Sequence, residues 1–291
     1  MKKMFQTLLM VLCLVSADLA AQKHEDRRQM KVDLSQFEEI HLYNTSGNVS
    51  VTPSMDHSAT IEIRRSIEAR SNKKLEEAKS SIYFDTTVVD GRLYFFVNNP
   101  YSILEIDDDG NAHYNSRENG KWRWSGSSDK KTKFEFTLDI TMPVDKHLVV
   151  STHRKDLKVK GHSGVLVAKT HHGSLKVEDV KNLTLARSHH GDIEASYAVV
   201  PSIDTDFKTH HGDIQVAFPS SPSAEISMYS HHGDFYTDFE WTSLPLKVKT
   251  KKNGRQTKFK YGGDTSIKMG DGKNKMTFKS HHGDMYIMKK G

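Results

Sequence analysis

The chain has 291 residues, 36% hydrophobic and 27% charged, a composition that supports a buried core and excludes wholesale disorder. Its formal net charge of +5 is modest and its signs are mixed along the sequence, with no basic block, which removes nucleic acid as an expected partner.

Residues 1–21 read as a secretory signal peptide: Lys2 and Lys3 precede an apolar run from Phe5 to Val15, and Ala17, Leu19, Ala20 and Ala21 follow at a cleavage-type site. Cys13, the only cysteine, follows Leu12, where a lipoprotein signal would have a small residue, so no lipid attachment is expected. Processing would leave a chain from Gln22 without disulfides or thiolate chemistry. No second long apolar run occurs, so no transmembrane segment is expected. The protein is expected to be exported, to the periplasm or to the cell surface.

Residues 22–35 form a charged spacer, and 36–291 read as a single domain. Gln36 to Val51 alternates around Asn44-Thr45-Ser46-Gly47-Asn48. A strand over Ala59 to Arg64 leads into a helix over roughly Ile67 to Ser80, where Leu75 and Ala78 sit among charges. Ile82 to Phe84 and Arg92 to Val97 pair around Asp90-Gly91. Residues 98–131 lose periodicity and read as a long polar excursion or lid. Within it, Glu105-Ile106-Asp107-Asp108-Asp109-Gly110 begins like a calcium loop but places Ser116 where the bidentate Glu belongs, and a start at Asp107 instead gains Glu118 but puts Ala112 at the glycine, so a solvated acidic turn is expected. Trp122 and Trp124 alternate with Lys121 and Arg123, a pattern that fits packing onto the main body.

Strict alternation returns at Lys133 to Pro143, followed by five related corners: His171-His172-Gly173-Ser174, His189-His190-Gly191-Asp192, His210-His211-Gly212-Asp213, His231-His232-Gly233-Asp234 and His281-His282-Gly283-Asp284. Their offsets of 18, 21, 21 and 50 residues mark one reused structural unit. A further rung, Ser151 to Leu157, has Arg154 and Lys155 in place of the second histidine and the glycine. Four residues before each second histidine stand Ala168, Ala186, Phe207, Met228 and Phe278, and two before it a Ser or Thr, so this parity points inward. The other parity carries Lys169, Arg187, Lys208, Tyr229 and Lys279 and points to water. Units of 18–21 residues cannot bury a core alone, and the expected fold is all-β, a parallel β-solenoid of stacked coils with one short surface helix. Gly173, Gly191, Gly212, Gly233 and Gly283 are expected at structural corners, with Asp192, Asp213, Asp234 and Asp284 accepting from turn amides.

The Ser/Thr-x-x-Gly-Asp-Ile corner, in Ser188 to Ile193, Thr209 to Ile214 and Ser280 to Met285, resembles that of the bacterial putative-adhesin family of β-strand repeat proteins, related to head-GIN-type auto-transporter adhesins. Thr45-Ser46-Gly47-Asn48-Val49 fits the same pattern, and Tyr261-Gly262-Gly263-Asp264 looks like the family's closing coil. The resemblance spans about residues 36 to 291 and implies a right-handed, β-helix-like, exported protein without established enzymatic residues. The paired histidines depart from the family's corner.

Ten of the seventeen histidines lie in these corners, the second of each pair on the inward parity. Two readings stand. In one the imidazoles are a structural stack satisfied at the corner. In the other His172, His190, His211, His232 and His282 hold Zn, Cu or Ni, with the aspartates orienting their rings, in a periplasmic metal-binding protein. Neither reading needs a resident cofactor, and repetition of one corner is unlike a differentiated active site, so no enzyme is expected. The leading expectation is a structural or adhesive module whose lysine-lined faces bind an envelope protein, a glycan or an anionic polymer.

Overall fold

The computed structural model describes residues 22–116, 132–245, 248–253, 256–261 and 265–291, with backbone alone for Ser116 and for 248–253 and 256–261. The expected signal peptide, Glu118, Trp122 and Trp124, and the corner Gly262-Gly263-Asp264 lie outside the described residues.

Among the described residues the chain is all-β apart from one helix, Asn72–Ser81. The described strands form two large mixed sheets and two separate hairpins. In the centre of both large sheets, successive strands pair parallel and in register. The first sheet stacks Val49–Ser54, Leu157–Lys160, Leu175–Val180, Ile193–Tyr197 and Ile214–Phe218. The second stacks Glu39–Asn44, His147–Arg154, Val165–His172, Asn182–Arg187 and Thr205–Lys208. Antiparallel strands flank these runs, so the sheets are mixed rather than parallel throughout.

Side-chain parity explains the stacking. Leu42, Val150, Ala168, Ala186, Phe207, Phe278 and Met228 are aligned partners in the second sheet and all are buried. Leu157, Leu175, Ile193, Ile214 and Met285 align in the same way in the first. Both inner faces contribute to one continuous core. Slipping any strand by one residue would turn its apolar set to water, which fixes the register.

Rung order in space differs from chain order. The strand Asn274–Lys279 lies between Thr205–Lys208 and Ala224–Tyr229, parallel to both. Met285–Lys289 is likewise inserted between Ile214–Phe218 and Phe235–Thr237. The last corner of the sequence thus sits between the third and fourth, not beyond the fourth.

Three other expectations are corrected. Residues 22–33 are no spacer: the strand Gln22–Asp33 pairs antiparallel with all of Ser58–Ala69, and its Met30 and Val32 pack on the core. The helix starts later than Ile67, because Ile67 and Ala69 are fully buried strand residues and the Ser71 hydroxyl caps the helix by accepting from the Lys74 amide at 3.3 Å. The excursion contains a hairpin, Ser102–Ile106 with Ala112–Ser116. Its acidic run is the turn, where the Asp107 carboxylate accepts from the amides of Asp109 (3.1 Å) and Asn111 (2.8 Å). This hairpin lies on the outer face of the second sheet, with Leu104, Ile106, Ala112 and Tyr114 packed over Tyr43, Tyr94 and Val149.

Candidate functional site

A hydroxyl ladder joins all five corners, and from Asp192 onward a carboxylate ladder joins them as well. The inward hydroxyls donate to the carbonyl of the neighbouring rung's corner residue: Ser188 to Gly173 (3.1 Å), Thr209 to Gly191 (3.1 Å), Ser280 to Gly212 (3.2 Å) and Ser230 to Gly283 (3.2 Å). The aspartates accept from the next rung's amide: Asp192 from Asp213 (2.9 Å), Asp213 from Asp284 (2.8 Å) and Asp284 from Asp234 (2.8 Å). The glycines permit the close approach that both ladders need. A Cβ on Gly191 would stand 2.2 Å from the Gly173 carbonyl oxygen, and one on Gly283 would stand 2.0 Å from that of Gly212. The rung at Arg154-Lys155 manages without glycine by placing Lys155 at φ 80°.

The histidines form two files of stacked rings along this edge. His153, His171, His189, His210, His281 and His231 follow one another at centroid distances of 4.7 to 5.0 Å, with interplanar angles of 2° to 9°. His172, His190, His211, His282 and His232 make a second file at 4.9 to 5.1 Å. Within one corner the two rings meet edge to face, as His171 and His172 do at 4.3 Å and 67°.

Burial reverses the expected parity. The first histidines of the central rungs are half-buried, whereas His172, His190, His211, His232 and His282 are exposed, because the chain leaves the strand at the corner before its inward parity can place them. The second-file rings lie face to face, so their in-plane lone pairs run parallel instead of converging on one ion. Among the described residues no group of three or more His, Cys, Asp or Glu is placed to hold a metal ion.

Loss of hydration, followed by the like charge of neighbouring rings, lowers the affinity of these imidazoles for protons. His171 is pushed down to about 4, and His172, His189, His211, His281 and His282 move the same way. His153 is also pushed to about 4, by burial and then by His172 and Arg154.

The outer face of the second sheet adjoins the first file. Here Ser151, Lys169, Arg187, Lys208, Lys279 and Tyr229 align from strand to strand. Lys208 reaches Asp206 at 2.5 Å. Among the described residues Lys169, Arg187 and Lys279 have no carboxylate within ion-pair distance. Burial and the charge of Arg187 lower the proton affinity of Lys169. Where the hairpin ends, a cleft of about 460 Å³ opens between it and the files, lined by Tyr114, Lys169, Arg187, His153, His171 and His189 among others. Tyr114 and His113 were not singled out from sequence. The alternation of Leu104, Ile106, Ala112 and Tyr114 about an Asp-rich turn is the signal that could have found this wall.

No family model matches the chain, and no curated protein does. Solved structures do match. A putative cell adhesion protein of Clostridium sporogenes is 10% identical and covers 92% of this chain and 100% of its own, with a TM-score of 0.35. A putative adhesin of Bacteroides fragilis is 12% identical, covers 91% and 97%, and has a TM-score of 0.28. A putative lipid binding protein of Parabacteroides distasonis is 9% identical, covers 91% and 97%, and has a TM-score of 0.21.

Proposed function

We propose that this chain is a non-enzymatic, exported binding module of adhesive type, whose ligand is anionic and lies on the open outer face of the second sheet. One observation carries the reading: among the described residues three of the four aligned cations on that face, Lys169, Arg187 and Lys279, lack a carboxylate partner, although carboxylates are plentiful elsewhere on the surface. The first sheet shows the contrast, with Lys158 paired to Glu178 at 2.9 Å and Lys176 to Glu194 at 3.0 Å. We read the in-register rungs behind the face as a β-solenoid of 18–21-residue coils, right-handed as the family resemblance implies. Such a scaffold supplies a flat, rigid, repeating surface. Export rests on the Lys2-Lys3 and apolar Phe5 to Val15 pattern. Among the described residues no helix is long and apolar enough to cross a membrane.

The test compares untagged residues 22–291 with two charge-reversed variants of equal net charge, Lys169→Glu/Arg187→Glu and Lys158→Glu/Lys176→Glu, on dextran sulfate resin. The first variant should elute at clearly lower salt than the second. Equal elution of the two would overturn the reading. Stoichiometric binding of Zn, Cu or Ni at micromolar levels, lost on His190→Ala/His211→Ala, would instead support metal binding by the second file.

A further inference from the structure

The cation file and the first imidazole file run side by side. Lys169 and His171 are two residues apart on the strand Val165–His172 and line one cleft with Arg187 and His189, and Lys208 with His210 and Lys279 with His281 repeat the spacing, each histidine two residues past its strand's last residue. Both files repeat at the strand spacing, about 4.8 Å. The Nδ1 atoms of His189, His210 and His281 are sealed and meet no hydrogen-bond partner. A neutral ring in that position has no acceptor for a proton on Nδ1, so it carries its hydrogen on the outward Nε2 and offers a donor. Each of these rungs therefore presents one cation and one N–H donor.

Resting on the function proposed above, we infer that this face binds a linear glycan bearing one carboxylate per sugar residue, laid across the strands with its carboxylates on the cation file and its hydroxyls on the imidazole file. An extended chain of linked pyranoses advances by about one strand spacing per residue and turns successive carboxylates to opposite sides, so every second carboxylate, about two strand spacings on, meets every second cation. Arg187 can take its carboxylate with two parallel hydrogen bonds. At the open end of the file Tyr229 is 38% exposed and offers a ring on which a sugar can stack. At the other end the wall of the Ser102–Ile106 and Ala112–Ser116 hairpin stops the groove. Single-stranded nucleic acid fits less well, because it is held by aromatic platforms at successive bases and this file ends in only one exposed ring.

The imidazoles face Lys169, Arg187, Lys208 and Lys279 two residues before them, the second-file histidines at their corners, Arg154 on the preceding rung, and His113 on the hairpin side of the cleft. Lost hydration and the like charge of neighbouring rings hold His171, His189 and His281 toward the neutral form.

Oligogalacturonates of two to eight residues, titrated calorimetrically into untagged residues 22–291 at pH 7.5, test the inference. Affinity should rise several-fold from dimer to tetramer and then level off, and neutral dextran oligomers should not bind. Arg187→Gln/Lys208→Gln should weaken the tetramer at least tenfold with the melting temperature retained, whereas Lys158→Gln/Lys176→Gln on the opposite face should not weaken it. Equal affinity for dimer and octamer, or binding of sulfated chains alone, would overturn the rung-by-rung inference and leave an anionic ligand on this face. Failure of every polyanion to bind would overturn both.

Discussion

At the scale of single residues, the corner imidazoles tie stability to pH. Burial and mutual repulsion hold the folded-state proton affinity of His171, His189 and His281 below the ordinary value near 6.5. A group depressed in this way contributes fully above its unfolded pKa, and its contribution is lost as pH falls toward the folded value. For His153 and His171 that window runs from about 6.5 to about 4. His162 acts in the same window: it is buried, bonded to the Lys146 carbonyl at 2.8 Å, and also pushed to about 4. The melting temperature should therefore be lower at pH 5 than at pH 8, and an identical midpoint at both would show that the files do not contribute. Gly191→Ala is a harsher change. Its methyl would meet the Gly173 carbonyl, so the rungs must part, and the variant is expected to be several kcal/mol less stable by chemical denaturation.

At the scale of elements, each rung is stapled by a hydroxyl inside and a carboxylate outside. Asp213→Ala removes the acceptor for the Asp284 amide and should cost about 1 kcal/mol in urea unfolding, since water can partly replace an exposed acceptor. Phe207, buried and stacked on Phe278 at 4.8 Å, lies deeper, and Phe207→Ala should cost about 3–5 kcal/mol. Alternation made the inward residues Ala168, Ala186, Phe207 and Phe278 legible, because period two is a property of the strand itself. It failed at His172 and its equivalents, since parity ends where the chain turns. It failed also for Gln22–Asp33, whose charges hide a strand that pairs along its whole length but buries few of its side chains. The aspartates were legible as acceptors, but their donors were not. Those amides lie one rung away, a distance in sequence of 21 residues for Asp192 and 71 for Asp213.

At the scale of the whole molecule, a repeat announces that like pairs with like but not which copy is next to which. Five near-identical corners can be stacked in chain order or with the last one inserted, and every hydrogen-bonding rule is met either way. Structure selects insertion, so Asn274–Lys279 and Met285–Lys289 are the only bond between the rungs on either side of them in the two sheets among the described residues. Removing 274–291 should leave the first three corners folded and release 224–237 to proteolysis, and limited digestion that cuts the shortened and full chains alike would refute this. The consequence reaches into biogenesis. A chain that becomes available for folding from its N-terminal side can zip its early rungs as they appear, yet the fourth must wait beside an empty slot until some fifty further residues have followed. Closure of that slot is a late, long-range event in a fold otherwise built from nearest neighbours, and it sets the moment at which the cation file becomes continuous.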